Sequence, residues 1–149
     1  MRLVEVMTVN PITAPIGVDL DEAARLMLDH RVGGLPVVYR GLLVGILTRA
    51  DLMERLAPRE PPRWWRALID PERLARRCQR ARGTTVGEVM TRPALSLPPD
   101  AAIGAAVALM REHRIGRLPV ADHGHLVGIV SRSDLLRALA SAPGAGRQR

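Results

Sequence analysis

The sequence has no phenylalanine, no lysine, one cysteine, one tyrosine and two tryptophans among 149 residues. The single Cys78 excludes an intramolecular disulfide and a cysteine-only zinc site. No apolar run approaches the ~18 residues that a membrane-spanning helix needs. Glu5 interrupts the N-terminus where a secretory signal would carry an unbroken apolar core, so the expectation is a cytoplasmic protein. Neither a pair of carboxylates set for acid–base work nor a Ser-His-Asp arrangement can be read from the chain, which argues against an enzyme.

What is present is ordinary globular composition, 47% hydrophobic and 25% charged, enough for one domain or two small ones. The formal net charge is +7, and all 22 basic residues are arginine. The charge is uneven. Residues 1–57 hold 6 Arg against 7 acids, and residues 84–146 hold 6 against 5. Residues 58–83 hold 8 Arg against 3 acids, and Arg147 and Arg149 add two more positive charges at the end. A nucleic-acid binder is expected to show a basic face with aromatics or a reading helix. Two nearly neutral segments with few aromatics speak against that class.

Those two segments are copies of each other. With a shift of 83, Glu5-Val6-Met7-Thr8 recurs as Glu88-Val89-Met90-Thr91, and Leu35-Pro36-Val37 as Leu118-Pro119-Val120. Leu43-Val44-Gly45-Ile46 recurs as Leu126-Val127-Gly128-Ile129, and Asp51-Leu52 as Asp134-Leu135. Two copies are too few for a solenoid. Each copy alone buries little apolar surface, so two units closing on each other are expected.

Each copy reads as β-α-β-β-α. Leu20, Ala23, Ala24 and Met27 form one apolar helix face, repeated by Ile103, Ala106, Val107 and Met110. Asp19 and Glu22 have capping-box spacing. Leu35-Pro36-Val37-Val38 and Leu42–Leu47 predict a hairpin turning at Tyr39-Arg40-Gly41, and the second copy turns at Asp122-His123-Gly124. The first strand of each unit is expected near Ile12-Thr13 and near Leu95-Ser96. Helices are expected to start at Arg49 and Arg132. The domain reading is therefore unit 1 over 1–57, an insert over 58–83, unit 2 over 84–140 and a frayed tail over 141–149. In the insert, Asp70-Pro71 starts a helix that Gly83 stops. Its arginines read as a solvated face or as a partner contact, and Trp64 and Trp65 as core or dimer cover.

Gly45-Ile46-Leu47-Thr48-Arg49-Ala50-Asp51 and Gly128-Ile129-Val130-Ser131-Arg132-Ser133-Asp134 are one motif at a strand-to-helix junction. Unpaired N–H groups at the helix start favour an anion. The hydroxyl can donate to a phosphate or ribose oxygen, and the carboxylate can accept both hydrogens of a ribose diol. Glycine leaves room for a ligand to approach the backbone. The same Thr48-x-x-Asp51 spacing is also a helix capping box that needs no ligand. Both readings stand. His30 and His113 beside arginines suit helix ends better than metal ligation, and His123 and His125 lack a third ligand. Cys78, among Arg76, Arg77 and Arg80, reads as an inert thiol.

On Val6-Met7-Thr8, Leu35-Pro36-Val37, Leu43–Thr48 and Asp51, with their second-copy equivalents, the chain resembles a tandem pair of cystathionine-β-synthase (CBS) domains, a Bateman module. The insert resembles linkers of some bacterial stand-alone CBS proteins. The resemblance implies two clefts that bind adenosine ligands: AMP, ADP or ATP, and in some members S-adenosylmethionine or NAD. It implies that Thr48 and Asp51, and Ser131 and Asp134, hold ribose and phosphate beside Gly45 and Gly128. It assigns Ile12, Thr13, Leu95 and Ser96 to the adenine pocket and Arg117 to phosphate. Gly34 stands where the first copy would need the matching basic residue, so the clefts are expected to differ. The implied protein is a non-catalytic regulatory module, homodimeric, with its effector in another chain and no required cofactor or metal. A ligand-free interaction scaffold is the alternative.

Overall fold

In the computed structural model the described residues are 1–56, Glu72 and 84–141. The expected insert helix, Trp64, Trp65, Cys78 and all of the tail beyond residue 141 lie outside them. The described chain is mixed α+β and falls into two compact units. The units cut across the sequence copies. One comprises Ile12–Arg40 with Val44–Pro93, and the other Met1–Pro11, Gly41–Leu43 and Ala94–Arg149. Each unit thus takes its leading segment from the other copy.

In the first unit, strand β2 (Ala14–Pro15) lies parallel to β3 (Gly34–Tyr39), with Ala14 opposite Val37. Helix α1 (Leu20–Asp29) makes the crossover a parallel pair requires. Strand β4 (Leu42–Thr48) neighbours β3, and helix α2 (Arg49–Leu56) follows it. A short helix α3 (Val86–Val89) and an antiparallel bridge from Thr91 to Ile46 close the unit. Its core is Ala14, Leu20, Ala23, Met27, Leu35, Val37, Leu47, Val86 and Met90.

The second unit repeats this plan. Helix α4 (Ile103–Glu112) precedes β5 (Arg117–Asp122) and β6 (His125–Ser131), and helix α5 (Arg132–Ser141) ends it. Strand β1 (Thr8–Val9) runs antiparallel to β6. The 3-10 turn Leu3–Glu5 places Leu3, fully buried, in a core with Ala106, Met110, Leu118, Val120, Val130 and Leu135. Burying a leucine side chain contributes about 1.5–3 kcal/mol, which holds the N-terminal segment on this unit.

Both hairpins use two-residue loops with left-handed backbone, Arg40 (φ 51°) with Gly41 (φ 79°), and His123 (φ 48°) with Gly124 (φ 83°). This is the type I′ geometry that matches strand twist. Three expectations are corrected. Asp19 is the N-cap residue of α1, as expected, but its side chain makes no cap hydrogen bond. Its backbone also bridges Thr85, and the acidic side chain that caps in that region is Glu88, which accepts the Thr85 N–H at 2.7 Å. Val107 is exposed rather than on the buried face of α4.

The first strands also begin two residues later than Ile12 and Leu95. Leu97 donates to the Pro119 carbonyl and accepts from the Ala121 N–H. One step earlier, the Leu95 carbonyl would have to accept from the nitrogen of Pro119, which carries no hydrogen. Pro36 stops the other ladder at Ile12 in the same way.

Candidate functional site

The repeated motif closes the end of β4 onto α2 and the end of β6 onto α5. Asp51 Oδ2 accepts the Thr48 backbone N–H at 2.7 Å and the Thr48 hydroxyl at 3.0 Å. The Thr48 Oγ1 accepts the Asp51 N–H at 3.3 Å. In the second copy Asp134 Oδ2 accepts the Ser131 N–H at 2.8 Å and the Ser131 hydroxyl at 2.7 Å, and Ser131 Oγ accepts the Asp134 N–H at 3.3 Å. The capping reading is therefore realised twice. It uses one carboxylate oxygen in each copy and leaves Oδ1 to other partners.

Those partners differ. Asp51 Oδ1 meets the Thr91 hydroxyl at a long 3.4 Å. Asp134 Oδ1 forms an ion pair with Arg137 at 2.9 Å. Asp134 is buried, whereas Asp51 is half-buried. Sequence reasoning missed both Thr91 and Arg137. The signal for Arg137 was its place one helical turn after Asp134, where charged groups meet along one helix face. The first copy carries Glu54 there.

Gly45 and Gly128 are where the motif places them, but the space over each is filled by the protein. A Cβ on Gly45 would lie 2.5 Å from Met90 Sδ and 2.9 Å from the Thr91 carbonyl oxygen. On Gly128 it would lie 2.5 Å from Met7 Sδ and 3.0 Å from the Thr8 carbonyl oxygen. The room assigned to a ligand is taken by the Met-Thr pair. The glycine and the Val-Met-Thr motif thus explain each other.

The other candidate residues lie on strands of the same units or just before them. Arg117, half-buried, sits opposite Ser131 in the β5–β6 register. Leu95 and Ser96 are exposed just before the Leu97 bridge to β5. Ile12 and Thr13 are half-buried just before β2. Gly34 opens β3 where Arg117 opens β5. The segments 12–13 and 95–96 precede the pairing of Ala14 with Val37 and of Leu97 with Val120.

His30 and His113 are the C-cap residues of α1 and α4. Each is followed by an arginine in left-handed conformation, and Val32 and Ile115 reach back to Met27 and Met110 carbonyls in Schellman closures. No group of three or more His, Cys, Asp or Glu among the described residues is placed to hold a metal. No helix among them is long and apolar enough to cross a membrane.

The fold and site define a tandem pair of α+β units, each closing a strand-to-helix junction on a hydroxyl and a carboxylate. The chain belongs to the CBS domain family, whose model matches residues 3–58 and again 86–141. It is 34% identical to the CBS domain-containing protein YhcV of Bacillus subtilis over 88% of this chain and 80% of that one. It is also 32% identical to an inosine-5'-monophosphate dehydrogenase of Thermoplasma acidophilum, over 89% of this chain but only 21% of the enzyme. Among solved structures, CBSX2 of Arabidopsis thaliana in complex with AMP matches with a TM-score of 0.75 at 26% identity, covering 95% of this chain and 98% of that one. The CBS domain pair of protein MJ0100, in complex with 5'-methylthioadenosine and S-adenosyl-L-methionine, matches with a TM-score of 0.73 at 26% identity, covering 94% and 96%.

Proposed function

We propose that the protein is a non-catalytic regulatory module that binds an adenosine nucleotide of the AMP, ADP or ATP class through Thr48–Asp51, Ser131–Asp134 or both. The observation that carries this reading is the division of labour within each carboxylate. Oδ2 holds the helix cap, and Oδ1, met only by the Thr91 hydroxyl in one copy and by the exposed Arg137 in the other, is the oxygen that a ribose diol would use. Capping and binding therefore do not compete for one oxygen. The incomplete ladders at Ile12 and Leu95 offer backbone groups to an adenine, and Arg117 offers charge to a phosphate beside Ser131. The adenosine ligands of CBSX2 and MJ0100 support the ligand class. Binding regulates only if the ligand prefers one conformation of the module, which a second copy of the chain or an effector protein then reads.

A thermal-shift panel of AMP, ADP, ATP, S-adenosylmethionine and NAD tests the reading. A ligand at ~100 times its Kd stabilises by about 2.7 kcal/mol, which raises the midpoint by roughly 2–8 °C. A flat response to the whole panel would point to a ligand-free scaffold. Asp51→Glu keeps a carboxylate in the capping position but lengthens it by one methylene. Stability is expected to stay within about 1 kcal/mol, while affinity at that motif falls. Unchanged affinity would make Asp51 a cap alone.

A further inference from the structure

We infer that Arg137 is a specificity-determining residue of the second motif: it occupies the carboxylate oxygen that a ribose would use, and so disfavours uncharged nucleosides there. This rests on the binding reading above and gives its two motifs different ligand preferences.

Asp134 Oδ2 is committed to Ser131, and Arg137 Nη1 lies 2.9 Å from the remaining Oδ1. The carboxylate is buried, with 8% of its side chain exposed, whereas the guanidinium is 75% exposed. Arg137 can therefore swing into water without disturbing the core, but Asp134 cannot turn away from it. Oδ1 offers about two acceptor sites, so a ribose diol can give both of its hydrogens there only by displacing this cation. An uncharged nucleoside brings nothing to replace the lost ion pair. A ligand with a phosphate brings a new anion to a region that already holds Arg117 opposite Ser131. In the first copy the displaced partner is only the neutral Thr91 hydroxyl at 3.4 Å, and Glu54 replaces the arginine. That motif is open to uncharged or cationic adenosine derivatives.

The test is calorimetric titration of the full chain carrying Asp51→Ala, so that only the second motif reports, with adenosine and AMP as probes. Adding Arg137→Gln is expected to tighten adenosine by about two- to fivefold, the size of an exposed ion pair. AMP is expected to stay unchanged or weaken, so the preference for AMP over adenosine shrinks. A second readout needs no new variant. Raising salt from about 0.01 M to about 1 M shortens the Debye length from about 30 Å to about 3 Å. Adenosine, being uncharged, should then bind the second motif more tightly with Arg137 present and show no change with Gln. The reciprocal change, Glu54→Arg with Asp134→Ala, should weaken adenosine at the first motif.

Adenosine binding that weakens or stays equal in Arg137→Gln, or that ignores salt in its presence, would overturn the inference and leave the binding reading standing. Failure of the unsubstituted chain to bind adenosine, AMP, ADP or ATP would overturn the two together.

Discussion

Met90 lies over Gly45 in one unit, and Met7 lies over Gly128 in the other, each with its sulfur 2.5 Å from where a Cβ on the glycine would lie. Thr91 bridges Ile46 as Thr8 pairs with Ile129. Val86 fills the place in the first core that Leu3 fills in the second. Around the carboxylates this agreement stops: a hydroxyl faces Asp51, whereas a guanidinium faces Asp134. The contacts that hold each unit together are duplicated almost atom for atom, and the groups a ligand would meet have diverged. Packing tolerates little change once a core is filled, whereas an exposed side chain such as Arg137 is nearly free to vary. The difference shows that the duplicated fold and the duplicated site are under separate physical constraints.

The hardest blow to the shared packing is Leu3→Ala. It should cost about 2–5 kcal/mol in denaturant unfolding, whereas the exposed neighbour Val4 should tolerate alanine. Equal, small effects at both positions would mean that the N-terminal segment does not belong to the second unit's core. Gly45→Ala and Gly128→Ala come next, each destabilising by about 1–3 kcal/mol through overpacking. Methionine can bend away from a new methyl, but the Thr91 and Thr8 carbonyls are backbone and cannot. The two variants should match, and a twofold disparity in cost would break the equivalence of the cores.

Where the copies diverge, the prediction is inequality. Asp51→Ala should cost about 1 kcal/mol, as the loss of a helix cap does. Asp134→Ala should exceed it by about 0.5–1 kcal/mol, since it also removes a buried carboxylate's ion pair with Arg137. Equal costs would reduce Arg137 to a decoration of the surface.

Much of this is legible in the sequence itself. The 83-residue repeat, the helix faces at Leu20, Ala23 and Met27, the hairpin turns and the hydroxyl–carboxylate motif all depend on local spacing, and local spacing is written in the chain. What escaped was non-local or a choice between equals. Val-Met-Thr occurs in both copies, so nothing in the letters says which copy's glycine each methionine covers. Each glycine reads as room for a ligand in the sequence because its occupant comes from far along the chain. Asp19 is the N-cap residue that its spacing suggests, but whether its side chain closes the cap depends on surroundings that spacing does not give, and it makes no cap hydrogen bond. Pro36 and Pro119 were in plain view. Their missing N–H groups delay the neighbouring strands by two residues, a consequence that needs the register to be known.

The smallest effect expected is a gain. Arg31 (φ 52°) and Arg114 (φ 54°) occupy the left-handed position after α1 and α4, where glycine is the usual residue. A side chain there costs about 1–2 kcal/mol of steric strain, and glycine returns about 0.5–1 kcal/mol of that through its freer unfolded chain. Arg31→Gly and Arg114→Gly should each stabilise by about 0.5–1 kcal/mol, read as a higher denaturant midpoint at constant slope. Both arginines are exposed, and the closures they sit in run through backbone groups of Val32 and Ile115, so the variants remove no buried contact. If one gains and the other loses, that arginine holds something its twin does not, and the divergence of the two copies extends from the motif to the helix ends.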